Sequence, residues 1–288
     1  MKRMGHNKTV FLITTGLLLL SAAFIFTYEK EVEEYQANIS KDITIDQTWD
    51  LPPQLAEVSG IAYLGSNKIA CVQDEKGSIF IYNLDDSTIE KEIQFTANGD
   101  FEGIAIKENT AYVLEANGKI YQVEDFMNTA QVKTFDTFFT EENDMEGLFY
   151  DEAEDRLLLA VKVLDPNSED QKGIYAARLP SMEVNETPVF TLTFEEEIFN
   201  DIREEKRGES FFPSEVAIHP KTGEIFILEA REPRLLILDA SGTPKEFHLL
   251  DQKAFPQPEG LAFDSSGNLY ISSEGEPGTI HRVTITSK

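Results

Sequence analysis

Short apolar runs recur along the chain after residue 41 and are separated by polar turns. One pattern, a serine or glutamate followed by glycine and then by apolar residues, occurs five times, with a glutamate in place of the glycine in the fourth copy. The five copies begin at Ser59, Glu102, Glu146, Ser214 and Glu259. Successive copies are 43, 44, 68 and 45 residues apart, which is the period of a four-stranded propeller blade.

Each copy is followed by further strand patterns. The second run is apolar on both faces, as expected of a strand between neighbouring blades, and the third alternates apolar and polar residues. A fourth, more polar strand is predicted in four units, at residues 89–95, 132–138, 188–194 and 245–250. The fifth unit lacks one, and we expect the alternating residues 42–49 to supply it and close the ring. Closure removes the open sheet edges of the array.

The interval of 68 residues leaves two possible blade numbers. Its extra residues fall mainly in the charged segment 195–208, where Ile198 and Ile202 have helical spacing. This favours an inserted helix over four additional strands. The sequence therefore predicts an all-β, five-bladed β-propeller over residues 42–288, with six blades as the less favoured alternative.

The N-terminal region carries an uncharged apolar run at residues 9–28, long enough to span a bilayer. Basic residues precede the run and glutamates follow it. The positive-inside rule therefore predicts that residues 1–8 lie in the cytoplasm and that the propeller lies outside it. Residues 9–28 would form a single transmembrane anchor, and residues 29–41 a tether. A cleaved signal peptide is the alternative. The apolar run continues past Ala23, which favours the uncleaved anchor in the cell membrane.

The charge balance is strongly acidic, with 52 acidic residues against 25 basic ones and a formal net charge of -27. Such a field repels nucleic acid and attracts cations, so we expect no nucleic-acid partner. The single cysteine, Cys71, lies within an apolar run, and we interpret it as a small core residue that forms no intramolecular disulfide.

Candidate chemistry lies at the residue before each glycine, because the first strand of a propeller blade lines the central channel. These residues are Ser59, Glu102, Glu146, Ser214 and Glu259. Converging carboxylates repel one another unless they are protonated or neutralised by a cation. Oxygen ligands without His or Cys favour calcium or magnesium over zinc, and a flexible ring favours calcium. The alternative is that the glutamates cap strand ends or accept hydrogen bonds from backbone amides.

A second set of polar residues ends the second strand of each unit, and we expect it on the same face of the disc. It comprises Asp74, Glu115, Lys162, Glu229 and Glu274. The four acids are further candidate calcium ligands, and Lys162 is a candidate counter-charge, although solvated loop acids explain the pattern equally well. We expect Arg231 and Arg234, which follow Glu229 closely, to form surface ion pairs.

A family resemblance is carried by residues 55–61 and 213–220 together with the repeated Glu-Gly-Ile/Leu segments, and it covers nearly the whole chain after the tether. In these residues the chain resembles the SdiA-regulated family. The resemblance implies an N-terminal membrane segment, a five-bladed propeller distantly related to NHL-repeat propellers, a bound calcium ion and no established biochemical activity. Glu215 departs from the pattern because other units mostly have glycine there, which puts the local backbone of the fourth unit in question.

Signatures of catalysis are mostly missing from the sequence. The repeat directs none of the four histidines toward the channel, and no nucleophile elbow, phosphate-binding loop or zinc pattern occurs. Ser59 and Ser214 have no histidine partner that the pattern supplies. We therefore favour a non-catalytic calcium-binding or scaffolding module for an envelope protein, peptide or glycan. A metal-dependent hydrolase of the lactonase or phosphoesterase type is the alternative, and a purely structural metal is a third possibility.

Overall fold

The computed structural model describes residues 30, 35–200, 202 and 207–286. The chain divides into two compact units, Met1–Ser40 and Lys41–Lys288. In the first unit the described residues include a helical turn at 35–38. The predicted membrane span at 9–28 lies outside the described residues, and no described helix is both long and apolar enough to cross a bilayer.

The second unit is a five-bladed β-propeller, as predicted, in which each blade is an antiparallel sheet. Blade 1 contains β2 (Val58–Gly65), β3 (Lys68–Gln73), β4 (Ser78–Asn83) and β5 (Thr88–Gln94). Blade 2 contains β6 (Phe101–Lys107), β7 (Thr110–Glu115), β8 (Ile120–Glu124) and β9 (Gln131–Phe135). Blade 3 contains β10 (Met145–Asp151), β11 (Arg156–Val161), β12 (Lys172–Arg178), β13 (Glu183–Val184) and β14 (Phe190–Leu192).

The last two blades complete the ring. Blade 4 contains β15 (Pro213–Ile218), β16 (Ile225–Glu229), β17 (Arg234–Leu238) and β18 (Pro244–Leu249). Blade 5 contains β19 (Gln257–Phe263), β20 (Leu269–Glu274), β21 (Thr279–Ile285) and, from the start of the unit, β1 (Ile43–Asp50). The first strand of each blade contacts that of the next, and β19 contacts β2, so these five strands surround one central channel.

Closure of the ring depends on β1, which pairs antiparallel with β21 from Ile43 opposite Ile285 to Asp50 opposite Thr279. Trp49 near the end of β1 is buried, and its Nε1 donates a hydrogen bond of 2.7 Å to the carbonyl of Leu84 beside blade 1. The predicted closing strand is therefore confirmed, and it links the last blade to the first.

The insertion between β14 and β15 differs from its prediction in one respect. Its described residues form two 3-10 turns, η2 (Glu197–Phe199) and η3 (Arg207–Glu209), rather than an α-helix; a third turn, η1 (Pro53–Leu55), precedes blade 1. Three phenylalanines hold the segment against the core between blades 3 and 4: Phe194, Phe199 and Phe211, all fully buried. Tertiary packing of these rings overrides the helical spacing. No strand occurs in the described part of the insertion, which leaves five blades.

The apolar core is divided among the spaces between adjacent blades and is formed mainly by the second and third strands. Cys71 on β3 is one of its residues, fully buried, and burial raises the pKa of its thiol. The interpretation of this cysteine as a small core residue is confirmed. The blade strands are therefore fixed on both faces and present their turn residues at the two ends of the channel.

Candidate acidic site at the channel mouth

Each inner strand carries a β-bulge at the residue that was predicted to face the channel. In blade 2, Phe101 pairs with Glu115 and Gly103 pairs with Leu114, which leaves Glu102 as the extra residue. The register shifts at the same place in the other four blades. A bulge re-aims a side chain away from the normal alternation of the strand. We call these five residues the inner ring: Ser59, Glu102, Glu146, Ser214 and Glu259.

Glycine after the ring residue allows the inner strands to approach closely. A Cβ atom added to Gly60 would lie 2.8 Å from the Cα of Gly103, and one added to Gly103 would lie 2.8 Å from the carbonyl oxygen of Glu146. Both distances are too short for a real side chain. The repeated glycine therefore narrows the channel at the level of the inner ring.

Glu215, which stands at the glycine position of blade 4, keeps the bulge of the other blades. Its carboxyl Oε1 accepts hydrogen bonds of 2.9 Å from the backbone N–H groups of Leu148 and Val216. Gly147 on blade 3 makes room for this carboxyl, since a Cβ there would lie 2.9 Å from Oε1. The backbone of the fourth unit is therefore intact. Sequence reasoning missed this role, although the missing glycine was the signal.

The inner ring is buried at four of its positions, and Glu102 is half-buried. Ser214 Oγ donates a hydrogen bond of 2.9 Å to the carbonyl of Pro258, so this residue has the capping role of the alternative interpretation. Two other buried oxygens, Ser59 Oγ and Glu259 Oε2, have no hydrogen-bond partner within the described part of the chain. Glu215 Oε2 is likewise buried without a hydrogen-bond partner in the described part of the chain. Burial of such atoms without a hydrogen-bond partner destabilises the folded state, unless a bound ion, ligand or water pairs with them.

Burial and mutual repulsion raise the pKa values of the ring carboxyl groups. Burial raises the pKa of Glu102 to about 11, and the charges of Glu146 and Glu259 add to the effect. Burial also raises the pKa of Glu259 well above its ordinary value, again with a contribution from Glu146. The ionisable groups of Glu146 and Glu259 therefore interact directly. The ring is therefore a site of carboxyl groups close enough to repel one another when ionised.

Lys162 lies beside the ring, as its sequence position at the end of the second strand predicted. Its Nζ is 2.6 Å from Glu146 Oε1 and 3.9 Å from Asp144 Oδ2. Burial alone would lower the pKa of Lys162, but the charges of Glu146 and Glu259 outweigh it and raise that pKa. Lys162 is thus an ammonium group held against the inner ring.

The four acids at the other second-strand ends have different surroundings. Asp74 and Glu274 interact electrostatically, and burial followed by the charge of Asp74 raises the pKa of Glu274 to about 7. Burial is also the main reason that the pKa of Asp74 is raised. Glu115 instead accepts a hydrogen bond of 3.0 Å from the hydroxyl of Tyr121. Asp74 and Glu274 are therefore the members that extend the acidic mouth.

Glu229 is neutralised within the protein. Its Oε2 lies 3.2 Å from Arg234 Nη1, and the side chains of both residues are buried. The expectation of a surface ion pair is therefore wrong for Arg234, because the loop before β15 covers it and the carbonyl of Ser210 accepts a second hydrogen bond from it. The guanidinium of Arg231 lies over the ring of Phe212, 4.6 Å from its centroid. Because the guanidinium of Arg234 already neutralises Glu229, this carboxyl group is poorly placed as a metal ligand.

The opposite half of the channel is apolar. A cavity of about 110 Å³ is lined by the residues that follow the glycine on the inner strands of blades 1, 2, 3 and 5. These include Ile61, Ile104, Leu148 and Leu261. The channel is thus acidic at one end and lined by hydrocarbon at the other.

The described histidines lie away from the inner ring. His219 stacks between Phe226 and Phe263, and His281 on β21 is within 2.9 Å of Thr48 Oγ1 and of the carbonyl of Ala254. His248 lies on the outer strand β18. Among the described residues, no group of three or more His, Cys, Asp or Glu side chains is arranged as a metal site. The calcium ligands named above remain a prediction.

Comparison with known proteins gives a family and a fold. The family model described as SdiA-regulated matches residues 44–283. No curated protein sequence matches the chain. Among solved structures, a Myxococcus xanthus glutaminyl cyclase is similar with a TM-score of 0.60 and 14% identity, over 85% of this chain and 97% of that one. A PQQ-bound aldose sugar dehydrogenase from Streptomyces coelicolor is similar with a TM-score of 0.51 and 11% identity, over 85% and 98%.

Proposed function

Because the chain belongs to the SdiA-regulated family, which the match over residues 44–283 shows, we propose that its propeller is a calcium-binding module that presents the acidic mouth to a partner. The site would be the inner ring, with Glu102, Glu146 and Glu259 as the charged ligands and Ser59 as a neutral one. The span at 9–28 would anchor the module on the extracytoplasmic side of the membrane. Its partner would be an envelope protein, a peptide or a glycan.

The observation that carries this proposal is the pair of unpartnered oxygens, Ser59 Oγ and Glu259 Oε2, buried among carboxyl groups that repel one another. Oxygen donors of this kind fit calcium, which accepts carboxylate and neutral oxygens in flexible geometry. Bound calcium would supply the positive charge that lets the carboxyl groups ionise together. The inner ring would hold it without Glu229 and Glu115, since Glu229 is paired with Arg234 and Glu115 accepts a hydrogen bond from the hydroxyl of Tyr121.

Calcium titration of the propeller unit, residues 41–288, tests the proposal by isothermal calorimetry. We expect one site with a dissociation constant in the range of about 10⁻⁶ to 10⁻³ M, as for sensor and extracellular calcium sites. The combined substitution of Glu102, Glu146 and Glu259 by Gln should abolish binding. A control with Glu142, Glu152 and Glu154 changed to Gln removes the same charge from exposed positions and should leave binding intact.

Thermal unfolding gives a second readout of the same site. Calcium at about 100 times its dissociation constant should add roughly 2.7 kcal/mol to the free energy of unfolding, and a chelator should remove that increment. Absence of a heat signal and of a shift in melting temperature at millimolar calcium would overturn the proposal. Equal binding by the ring variant and the control would relocate the site.

A metal-dependent hydrolase is the second candidate, and Glu274 is the observation that favours it. Its pKa of about 7, raised by burial and by Asp74, suits a general base beside a bound cation. Hydrolysis of lactones or phosphoesters that depends on calcium and is lost in Glu274→Gln would support this candidate. Calcium binding without such turnover would favour the binding module.

A further inference from the structure

We propose that Lys162 is a tethered cation that occupies the inner ring in place of calcium and sets how tightly calcium binds, an inference that rests on the proposed calcium site. The ammonium group neutralises part of the ring when no metal is bound. Calcium binding then requires Lys162 to leave Glu146. The lysine would therefore determine the calcium concentration at which the module responds.

The contacts of Lys162 place its charge directly against a carboxyl group of the ring. Its Nζ lies 2.6 Å from Oε1 of Glu146, a carboxyl group that is almost fully buried. The charge of the same Glu146 acts on Glu259, whose Oε2 is one of the unpartnered buried oxygens. An ion that drew Glu146 and Glu259 together as ligands would thus compete directly with the ammonium group for Glu146.

The position of Lys162 is also the one exception in a fivefold pattern. The four other second strands end in an acid, at Asp74, Glu115, Glu229 and Glu274. A fifth acid here would add a negative charge to a ring that already contains three carboxyl groups. Lysine instead supplies a positive charge that directly contacts the ring carboxyl group of Glu146, whereas Arg234 pairs with Glu229.

A second position is available to the displaced ammonium group. Asp144 Oδ2 lies 3.9 Å from Lys162 Nζ, and its side chain is 34% exposed. The lysine side chain is itself 26% exposed, so part of it contacts solvent. Backbone hydrogen bonds anchor this strand end, since the Lys162 N–H donates to the carbonyl of Asp144 at 3.0 Å. Movement of the side chain between Glu146 and Asp144 needs no change in the backbone.

Calorimetric titration with calcium chloride of the Lys162→Met and Lys162→Arg variants tests the inference on the unit 41–288. Removal of a unit charge next to the bound ion should tighten calcium binding of Lys162→Met by about tenfold or more. Lys162→Arg keeps the charge and should bind with affinity near that of the parent protein. The control is Lys119→Met, which removes one positive charge from a half-exposed position of blade 2. Lys119 Nζ lies 3.7 Å from Asp136 Oδ1. This variant should change the calcium affinity less than about threefold.

The outcomes separate this inference from the proposed function. Equal or weaker calcium binding by Lys162→Met, with a normally folded protein by circular dichroism and binding by the parent, would overturn the role of Lys162 and leave the calcium site standing. Failure of the parent and of both Lys162 variants to bind calcium would overturn the calcium site itself. Tighter calcium binding by Lys162→Met than by the parent and by Lys162→Arg would support the inference.

Discussion

At the scale of single residues, Glu215 shows how a buried carboxyl group can replace a glycine without disturbing a strand. Its Oε1 accepts hydrogen bonds from the backbone N–H groups of Leu148 and Val216 and thereby links the inner strands of blades 3 and 4. Burial raises its pKa well above the ordinary value, and the charges of Glu146 and Glu259 add to the effect. The residue acts as a hydrogen-bond acceptor beside the ring.

Substitution of Glu215 tests this role. Glu215→Ala leaves two buried N–H groups without an acceptor, and we expect it to lower the free energy of unfolding by about 2–4 kcal/mol. Glu215→Gln retains a carbonyl oxygen of the same reach and should stay within about 1 kcal/mol of the parent. Guanidinium denaturation of both variants measures the difference. Similar losses for both would show that the carboxyl group does more than accept these bonds.

The sequence predicted the ring residues because the repeat aligns them, and it predicted the position of Lys162 for the same reason. It did not predict which acids would be neutralised within the protein. Glu229 lies five residues before Arg234, but the pair is buried only because the loop before β15 folds over it. Such a contact depends on a loop that has no counterpart in the other units, and a repeat carries no information about it.

At the scale of secondary structure elements, β1 is the strand on which ring closure depends. Trp49 is its buried residue, whereas Thr44 near the other end is exposed. The strand was predictable because its residues alternate between apolar and polar and because the fifth unit lacked a fourth strand. The insertion at 195–208 was not, because its three buried phenylalanines are spread over residues 194–211 and meet only in the folded protein.

A substitution in β1 should measure the contribution of closure. Trp49→Ala removes a buried ring and its hydrogen bond to Leu84, and we expect a loss of about 3–5 kcal/mol in the free energy of unfolding. Thr44→Ala in the same strand should cost less than about 1 kcal/mol. Chemical denaturation followed by circular dichroism suits both variants. A small effect of Trp49→Ala would mean that the backbone pairing with β21 closes the ring unaided.

At the scale of the whole molecule, the raised pKa values of the mouth predict how stability depends on pH in the absence of calcium. Groups with raised values bind more protons in the folded than in the unfolded state, so their stabilising effect is lost as the pH rises through their folded values. Those values are about 7 for Glu274 and Glu229 and about 11 for Glu102, each raised chiefly by burial. Asp155 and Asp239 have lowered pKa values, so their stabilising effect is lost as the pH falls at the acidic end of the range.

We therefore expect the melting temperature of residues 41–288 in chelator to be highest near about pH 4 to 5 and to fall between about pH 5 and 7. Glu274→Gln should reduce that fall, because it removes a group that titrates near pH 7. Glu276→Gln, at an exposed neighbouring position, is the control and should leave the profile unchanged. Differential scanning calorimetry across this range measures both. Stability that rises steadily to pH 8 would contradict the prediction.

The apolar cavity next to the inner ring affects how far a charged solute can enter the channel. A charged solute that reaches the ring next meets the apolar side chains of Ile61, Ile104, Leu148 and Leu261, and moving among them would remove its water without supplying other ligands. We therefore expect such a solute to stop at the acidic mouth rather than to cross the disc. A partner seated over that mouth would then slow its release.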